Sequence, residues 1–169
     1  MGALAAILAG WLIADLLSGL VHWIEDRFVD ETTPVIGAAI GAPNDLHHRL
    51  PDAFLAKGLI ERNWTTWAAI VPITATWLFL LGPSLVLLGA VAGGLMSNEV
   101  HAWAHRRDLP PVVRAMQRCG AFQSRPGHAR HHRGAMRSDY CVLTDWLNPW
   151  LELLGLWRAL DRLTARWQK

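Results

Sequence analysis

Three long apolar stretches set the pattern of this chain, and the first begins almost at its N-terminus. From Gly2 to Val21 the chain runs for twenty residues with a single charge, Asp15. This matches the ~20 residues that a helix needs to cross a hydrocarbon core of ~30 Å, so the pattern predicts a transmembrane helix over about residues 2–22. The alternative is a cleaved signal peptide, but a signal carries basic residues before its apolar run, and the first basic residue here is Arg27. We therefore expect the segment to be retained.

The second and third apolar stretches follow one another between Arg62 and Glu99. The 36 residues between these two contain no Lys, Arg, Asp or Glu. As a single helix they would extend ~54 Å at ~1.5 Å per residue, which is too long for one upright crossing. Gly82 and Pro83, near the middle, are typical of a turn. The pattern therefore predicts two antiparallel spans, over about residues 63–81 and 84–105.

The C-terminal tail has a different pattern, in which apolar residues recur every three or four positions. They are Leu153, Leu156, Trp157, Leu160, Leu163 and Trp167, with charged residues between them. Asn148 followed by Pro149 is a typical helix start. The tail is therefore predicted to form an amphipathic helix, which either lies on the membrane surface or packs against the core of the protein.

Together these patterns predict an all-α, multi-pass membrane protein in which residues 1–169 form a single domain. The charge distribution predicts its orientation. Most of the 16 basic residues follow residue 105, whereas the N-terminus and the turn at Gly82 carry none. By the positive-inside rule, residues 23–62 and 106–169 face the cytoplasm and the N-terminus lies on the opposite side. We expect about three transmembrane helices and a cytoplasmic, helical, His-rich cap.

Composition supports a membrane protein and argues against several other classes. Hydrophobic residues make up 52% of the chain and charged residues 18%, against ~25% charged in a soluble domain. The net charge is only +2 and the basic residues concentrate in the tail, so no nucleic-acid partner is expected. The two cysteines provide neither a disulfide framework nor a cysteine-based zinc site.

Eight histidines are the candidate chemistry of the chain. They fall in four places: His22, then His47 and His48, then His101 and His105, then His128, His131 and His132. In the last two places an i, i+4 spacing puts two imidazoles on one face of a helix, about one turn apart. The expected topology brings all four places to the same side of the membrane, where the histidines could reach a common site.

The number of histidines suggests two metal ions. Imidazole suits iron, zinc, copper and nickel, and eight imidazoles exceed the four ligands of one tetrahedral site. Soluble di-iron bundles use Glu-x-x-His motifs, and the sequence has none. The hypothesis is therefore an all-histidine site with two irons, which beside lipid chains would carry out chemistry with O₂.

Polar residues within the spans could support such a site. Asp26 continues the face of the first span that ends in a histidine, and Asn98 lies three residues before His101. Metal-bound histidines commonly donate their other N–H to a carboxylate or carbonyl, so Asp26 and Asn98 are predicted to lie behind ligand histidines. Asp15 is either functional or a structural partner of another helix. Glu99 points off the ligand face, and the pattern assigns it no role.

In these motifs the chain resembles the lipid desaturase family, which includes the plasmanylethanolamine desaturases and the plant plastid phosphatidylglycerol desaturases. The matching stretches are Asp15–Asp26, His47-His48-x-x-Pro51 with Asn63, Asn98-x-x-His101-x-Trp103-x-His105, His128-x-x-His131-His132, and Tyr140-Cys141 with Trp146, Asn148 and Trp157. They occur in order over nearly the whole chain, and the combination is much more specific than any one motif.

The resemblance implies a membrane di-iron enzyme that uses O₂ and two electrons to remove two hydrogens from a lipid alkyl or acyl chain. The iron ligands it implies are His22, His47, His48, His101, His105, His128, His131 and His132. The partners it implies are a membrane lipid and an electron donor such as cytochrome b5 or ferredoxin. An ether lipid would give the vinyl ether of a plasmalogen. Two features depart from the family pattern: longer relatives have an additional early span, and Gly120 and Gly127 stand where relatives often carry further histidines.

Other functions fit the same residues. A hydroxylase with the same cluster would add an oxygen to the chain instead of removing hydrogens. A non-enzymatic membrane protein that binds haem or carries metal belongs to another class, although haem would need facing histidines inside the spans. Arg130, Arg133 and Arg137 follow or flank the last histidines and either face solvent or contact headgroups or an acidic electron donor. The sequence predicts no particular oligomeric state.

Overall fold

The computed structural model describes residues 2–133 and 136–169, and within these ranges it contains helices and loops but no β-strand. The α-helices are α1 (Ala3–Phe28), α2 (Ala42–Arg49), α3 (Leu59–Leu81), α4 (Leu85–His105), α5 (Pro111–Arg118), α6 (Arg125–Arg133), α7 (Leu147–Leu153) and α8 (Leu156–Thr164). Shorter turns of π-helix or 3₁₀-helix lie at Gly37–Gly41, Pro51–Ala56 and Ala165–Trp167. The prediction of an all-α protein is confirmed for the described residues.

Three helices, α1, α3 and α4, are long and apolar enough to cross a membrane. Two of them are longer than the apolar stretches alone predicted, because α1 continues to Phe28 and α3 begins at Leu59. Gly82 ends α3 with a φ of 73°, a left-handed conformation that favours glycine. The side of the membrane that the cap faces, and with it the orientation of the N-terminus, stays a prediction.

Glycines allow α1 and α4 to cross in backbone contact. A Cβ atom on Gly89 would lie 2.1 Å from the carbonyl oxygen of Ile7, and one on Gly10 would lie 1.9 Å from the carbonyl oxygen of Val86. Small residues permit this kind of close approach between membrane helices. α3 also packs against α4, and a groove lined by all three helices is left between them.

An irregular segment before α7 is the most deeply buried part of the cap. Tyr140, Cys141, Leu143 and Thr144 are each 0% exposed. Asp15 in α1 accepts hydrogen bonds from the backbone N–H of Leu143 at 2.9 Å and from the hydroxyl of Thr144 at 2.5 Å. The carboxylate thus ties the cap to the first span, although its partners lie in an irregular segment and not in another helix as predicted. A functional role for Asp15 stays a prediction.

The tail differs from its prediction in one respect. The single amphipathic helix is broken at Gly155, whose φ is 69°, into α7 and α8. Trp157 is 1% exposed and packs edge-on against Tyr140, with ring centroids 4.9 Å apart. Asp161 accepts hydrogen bonds from Trp23 and Arg27 of α1, both at 2.9 Å. The tail therefore packs against the core of the protein itself.

Candidate metal centre

The eight histidines converge from four elements: the C-terminal end of α1, α2, the C-terminal end of α4, and α6. They form two groups. Within each group every residue offers one nitrogen or oxygen atom, and all of these atoms lie within 4.8 Å of one another. The first group is His47, His101, His105, His128 and His132, and the second is His22, Asp26, His48 and His131. Every histidine that the sequence singled out therefore belongs to one of two adjacent clusters.

The Nε2 atoms of the first group face one another. The Nε2 of His101 lies 2.9 Å from that of His128, 3.2 Å from that of His47 and 3.3 Å from that of His105. The Nε2 of His132 lies 2.9 Å from that of His128. For metal–nitrogen bonds of ~2.0–2.1 Å and tetrahedral angles, ligand nitrogens lie about 3.3 Å apart. The spacing therefore resembles that of nitrogens around one ion.

In the second group, backbone carbonyls fix which ring nitrogen faces the centre. The Nδ1 of His22 lies 3.1 Å from the carbonyl oxygen of Tyr140, and the Nδ1 of His131 lies 2.8 Å from that of Ser138. A ring whose Nδ1–H donates to a carbonyl presents an Nε2 lone pair to a metal, the usual arrangement of a bound histidine. These two carbonyls were missed by the sequence analysis, because a backbone acceptor leaves no mark in the pattern of side chains.

Asp26 lies among the imidazole nitrogens of the second group. Its carboxylate lies on the Nε2 side of the rings, 2.9 Å from His48, 3.4 Å from His131 and 3.9 Å from His22, and Asn44 donates to it at 2.8 Å. An oxygen on that side is placed to share the metal, whereas a supporting carboxylate would lie behind a ring at Nδ1. This position makes Asp26 a candidate ligand, and its predicted supporting role stays a prediction.

The second group contains buried polar atoms that lack a protein partner. Among the described residues, the Nε2 atoms of His22 and His131 and the Oδ2 of Asp26 are buried and accept no hydrogen bond. Buried polar groups without a partner are costly, and three acceptors facing one another would also repel. A bound cation removes both penalties. Imidazole nitrogen with one carboxylate is a donor set that suits iron or zinc, so the residues fit a metal.

Burial keeps the first-group histidines of the cap neutral. With neighbouring imidazoles adding to its effect, burial lowers the pKa of His132 from 6.5 to about 3 and holds the pKa values of His47 and His128 well below 6.5. The neutral imidazole is the form that binds metal. These three candidate ligands could therefore bind a metal at physiological pH without first releasing a proton.

The metal-free protein is expected to lose stability between about pH 7.5 and about pH 5.5. In the unfolded chain histidines take up protons below a pKa of ~6.5, whereas folded His132 does so only near its pKa of about 3. The unfolded state then binds more protons across this interval, and the free energy of unfolding decreases as the pH falls. Thermal unfolding of the chelator-treated protein in detergent, carried out across this pH interval, measures the change in stability. A melting temperature that is constant or rises towards pH 5.5 would contradict the burial of neutral imidazoles.

Asn98 and Glu99 belong to a neighbouring network that joins α3 to α4. The side-chain amide of Asn98 donates to the carbonyl oxygen of Arg62 at 2.7 Å and to the hydroxyl of Thr66 at 3.0 Å. These bonds give Asn98 a role in helix packing, and its predicted support of His101 stays a prediction. Glu99 accepts two hydrogen bonds from Arg62, at 2.7 and 3.1 Å, which gives it a partner that the sequence pattern did not reveal.

Phe54 is a neighbour of the first group that sequence reasoning missed. Its ring centroid lies 5.3 Å from that of His47 and 5.0 Å from that of His101. Arg62 holds the turn that carries Phe54, because its guanidinium donates to the carbonyl oxygen of Lys57 at 2.8 Å. Phe54 lies in a run of four apolar residues, 53–56, which carries no helical or strand period, so only the fold brings Phe54 to the cluster.

The groove between α1, α3 and α4 leads to both groups. It encloses a cavity of about 510 Å³, and its floor on α4 runs from Leu87 to His101, ~21 Å at ~1.5 Å per residue. Apolar residues of α1 and α3, among them Ile13, Leu17 and Ile70, form much of its walls. His22, His47 and His101 line the same cavity. One leaflet of a ~30 Å hydrocarbon core is ~15 Å deep, so the groove is long enough for a lipid chain.

Three long apolar helices, a helical cap and eight histidines gathered where they meet define an integral membrane protein with a histidine-rich centre. The chain belongs to the lipid desaturase family, because the sequence model of the family described as "Lipid desaturase domain" matches residues 11–168. The resemblance recognised in its motifs is thereby confirmed.

Relatives in plants, bacteria and a virus support the assignment. The chain is 35% identical over 159 residues to fatty acid desaturase 4, chloroplastic, of Arabidopsis thaliana, covering 90% of this chain and 49% of the relative. It is 34% identical over 163 residues to a probable fatty acid desaturase of Acanthamoeba polyphaga mimivirus, covering 92% of this chain and 78% of the relative. It is 29% identical over 167 residues to the plasmanylethanolamine desaturase of Myxococcus xanthus, covering 95% of this chain and 59% of the relative. The chain thus spans about half the length of several curated relatives, and no solved structure matches it.

Proposed function

We propose that the protein is a membrane lipid desaturase in which the two histidine groups hold two iron ions. The observation that carries this proposal is the apolar groove that ends at His22, His47 and His101. His47, His101, His105, His128 and His132 would hold one ion, and His22, Asp26, His48 and His131 the other. When bound, the irons supply the ability to activate O₂ for the removal of hydrogen from an unactivated methylene.

The proposed reaction converts –CH₂–CH₂– and O₂, with two electrons and two protons, into –CH=CH– and two water molecules. The chain's own residues bind and orient the lipid. The apolar walls of the groove exclude water from the lipid chain and hold it against the floor on α4. The histidines at the groove's end fix where along that chain the reaction occurs, since only the methylenes that reach them can react.

The position of the cluster favours carbons near the headgroup. His22 and His101 lie near the ends of α1 and α4 that join the cap. From them the groove extends to Ile13 in the middle of α1 and to Leu87 near the other end of α4. A lipid whose headgroup stays at the membrane boundary would therefore place its first methylenes beside the histidines and its tail along α4. In an ether lipid this position gives a vinyl ether, and in an acyl lipid a double bond close to the ester. The substrate we propose is a membrane glycerolipid of one of these two kinds.

The reaction also requires an electron donor, because the lipid supplies only two of the four electrons that reduce O₂ to water. A one-electron carrier such as cytochrome b5 or ferredoxin is the expected partner. Such a carrier is water-soluble or has a soluble domain, so it would approach the cap rather than the spans. The reaction therefore takes place at the boundary where the lipid groove and the cap meet.

Metal analysis of the purified protein tests the proposed centre. We expect two irons per chain, because each group offers at least four donor atoms. A His132→Ala variant removes a ligand of the first group and a His48→Ala variant a ligand of the second, so each is expected to lose chiefly one of the two irons. A wild-type protein that binds a single iron, or none after reconstitution with ferrous iron under anaerobic conditions, would contradict a di-iron centre.

A further inference from the structure

A second cavity opens on the cap beside His105 of the first histidine group. It measures about 350 Å³ and is lined by His105 together with Asp52, Arg106, Arg107, Asp108 and Arg125. His105 is half-buried, whereas His101, His128 and His131 are buried. The cleft therefore leads from solvent to a histidine of the proposed metal centre without passing through the lipid groove.

His105 links the cleft to the interior of the first group. Its Nε2 lies 3.3 Å from the Nε2 of His101, and its ring centroid lies 4.6 Å from that of His128. His105 lines the cleft, whereas His101 lines the lipid groove. An electron that arrives in the cleft would thus reach the metal centre through one imidazole ring.

The cleft carries arginines that the protein itself does not neutralise by ion pairs. Arg106, Arg107 and Arg125 are exposed, and among the described residues none of them lies within ion-pair distance of a carboxylate. Other arginines near the cluster are already engaged, such as Arg130 with Asp139 at 3.0 Å and Arg62 with Glu99 at 2.7 Å. Three arginines against two aspartates leave the cleft with a net positive charge.

We propose that this basic cleft is the docking site of an acidic one-electron carrier protein. The proposal rests on the proposed function, which requires two electrons from outside the lipid. Because such a carrier delivers one electron at a time, it binds and leaves twice in each turnover. Weak, fast, electrostatically steered contacts of small area suit an encounter of this kind. The cleft meets this need, since its charge lies around the rim and a ligand histidine lies at its base.

A binding experiment with charge-reversed variants tests the proposal. The probes are a plant-type [2Fe–2S] ferredoxin and the soluble domain of cytochrome b5, both acidic carriers. The protein is used as the full chain in nanodiscs of neutral lipid, and an Arg106→Glu/Arg125→Glu variant is compared with Arg118→Glu, which reverses an exposed arginine of α5 outside the cleft. We expect the double variant to bind at least one carrier tenfold or more weakly than wild type, and the Arg118→Glu control to bind like wild type. Raising the ionic strength from ~0.01 to ~0.1 M, which shortens the Debye length from ~30 to ~10 Å, should weaken wild-type binding in the same way.

The binding experiment tests the docking site separately from the desaturase activity. Unchanged binding in the double variant, an equal loss in the control, or a wild type that binds neither carrier overturns the docking site. A second readout is the rate at which the iron-loaded protein is reduced, by the carrier or by dithionite. The double variant should be reduced more slowly by the carrier alone, and equal slowing with dithionite overturns the proposal. Absence of any lipid product in the wild type would instead count against the proposed function.

Discussion

Replacing His101 by alanine is expected to abolish lipid desaturation and to remove iron from the first group. The Nε2 of His101 lies within 3.3 Å of the Nε2 atoms of His47, His105 and His128, so it is the central donor of that group. Loss of a residue that merely supports a metal ligand commonly costs 10–100-fold in affinity or activity, and loss of the ligand should cost ~100-fold or more. Product formation by lipid mass spectrometry and iron content per chain measure the two effects.

Asn98→Ala is the matched control for His101→Ala. Both changes shorten a polar side chain on α4, one turn apart, but Asn98 donates its hydrogen bonds to α3 and not to a histidine. We expect the Asn98 variant to keep its iron and to lose stability by ~1 kcal/mol for each hydrogen bond removed. If Asn98→Ala loses as much iron as His101→Ala, Asn98 supports the metal and is not confined to packing between α3 and α4.

Replacing Asp15 by alanine is expected to cause the largest loss of stability. The change leaves the buried N–H of Leu143 and the buried hydroxyl of Thr144 without their acceptor. Each unsatisfied buried group costs ~1–3 kcal/mol, so the free energy of unfolding should fall by about 2–6 kcal/mol. The irregular segment also carries the carbonyl of Tyr140 that orients His22, so the second metal group should bind iron more weakly as well.

Ser18→Ala is the control for Asp15→Ala. Ser18 lies one turn further along α1, and its hydroxyl accepts one hydrogen bond, at 3.2 Å, from the backbone N–H of Val142. The hydroxyl also donates to the backbone carbonyl oxygen of Asp15 at 2.7 Å. Because two neutral hydrogen bonds are lost, we expect a cost of ~1–2 kcal/mol. Thermal unfolding of both variants in the same detergent compares their losses of stability. Equal destabilisation, or an unaffected Asp15 variant, would show that the carboxylate is not the main tie between the cap and the first span.

The parts of the structure that follow from periodic patterns could be predicted from the sequence. Long apolar runs mark α1, α3 and α4, because the bilayer requires every backbone polar group to be satisfied within a helix. The Gly82-Pro83 turn was predictable because it interrupts an uncharged run too long for one crossing. Once these helices and the turn are placed, the four groups of histidines can only meet at one end, which is why their convergence could be predicted without a structure.

What the sequence did not determine depends on contacts between distant residues. The i, i+4 spacing places Asp26 on the face of His22, but which nitrogen of that ring Asp26 faces depends on the carbonyl oxygen of Tyr140, more than a hundred residues away. Asn98 shares a face with His101, but that face also borders α3. The break in the tail had a signal, since Gly155 interrupts the apolar stripe at a position where φ becomes positive.

Lipid mass spectrometry of cells with and without this chain tests the central claim most directly. The comparison includes cells that produce the His101→Ala variant at the same level, and it examines ether and acyl glycerolipids together. The account predicts a lipid species lighter by two hydrogens in cells with the wild-type chain, absent both from cells without it and from those with the variant. A species heavier by one oxygen would identify a hydroxylase, and an identical lipid profile in all three would contradict a lipid-modifying enzyme.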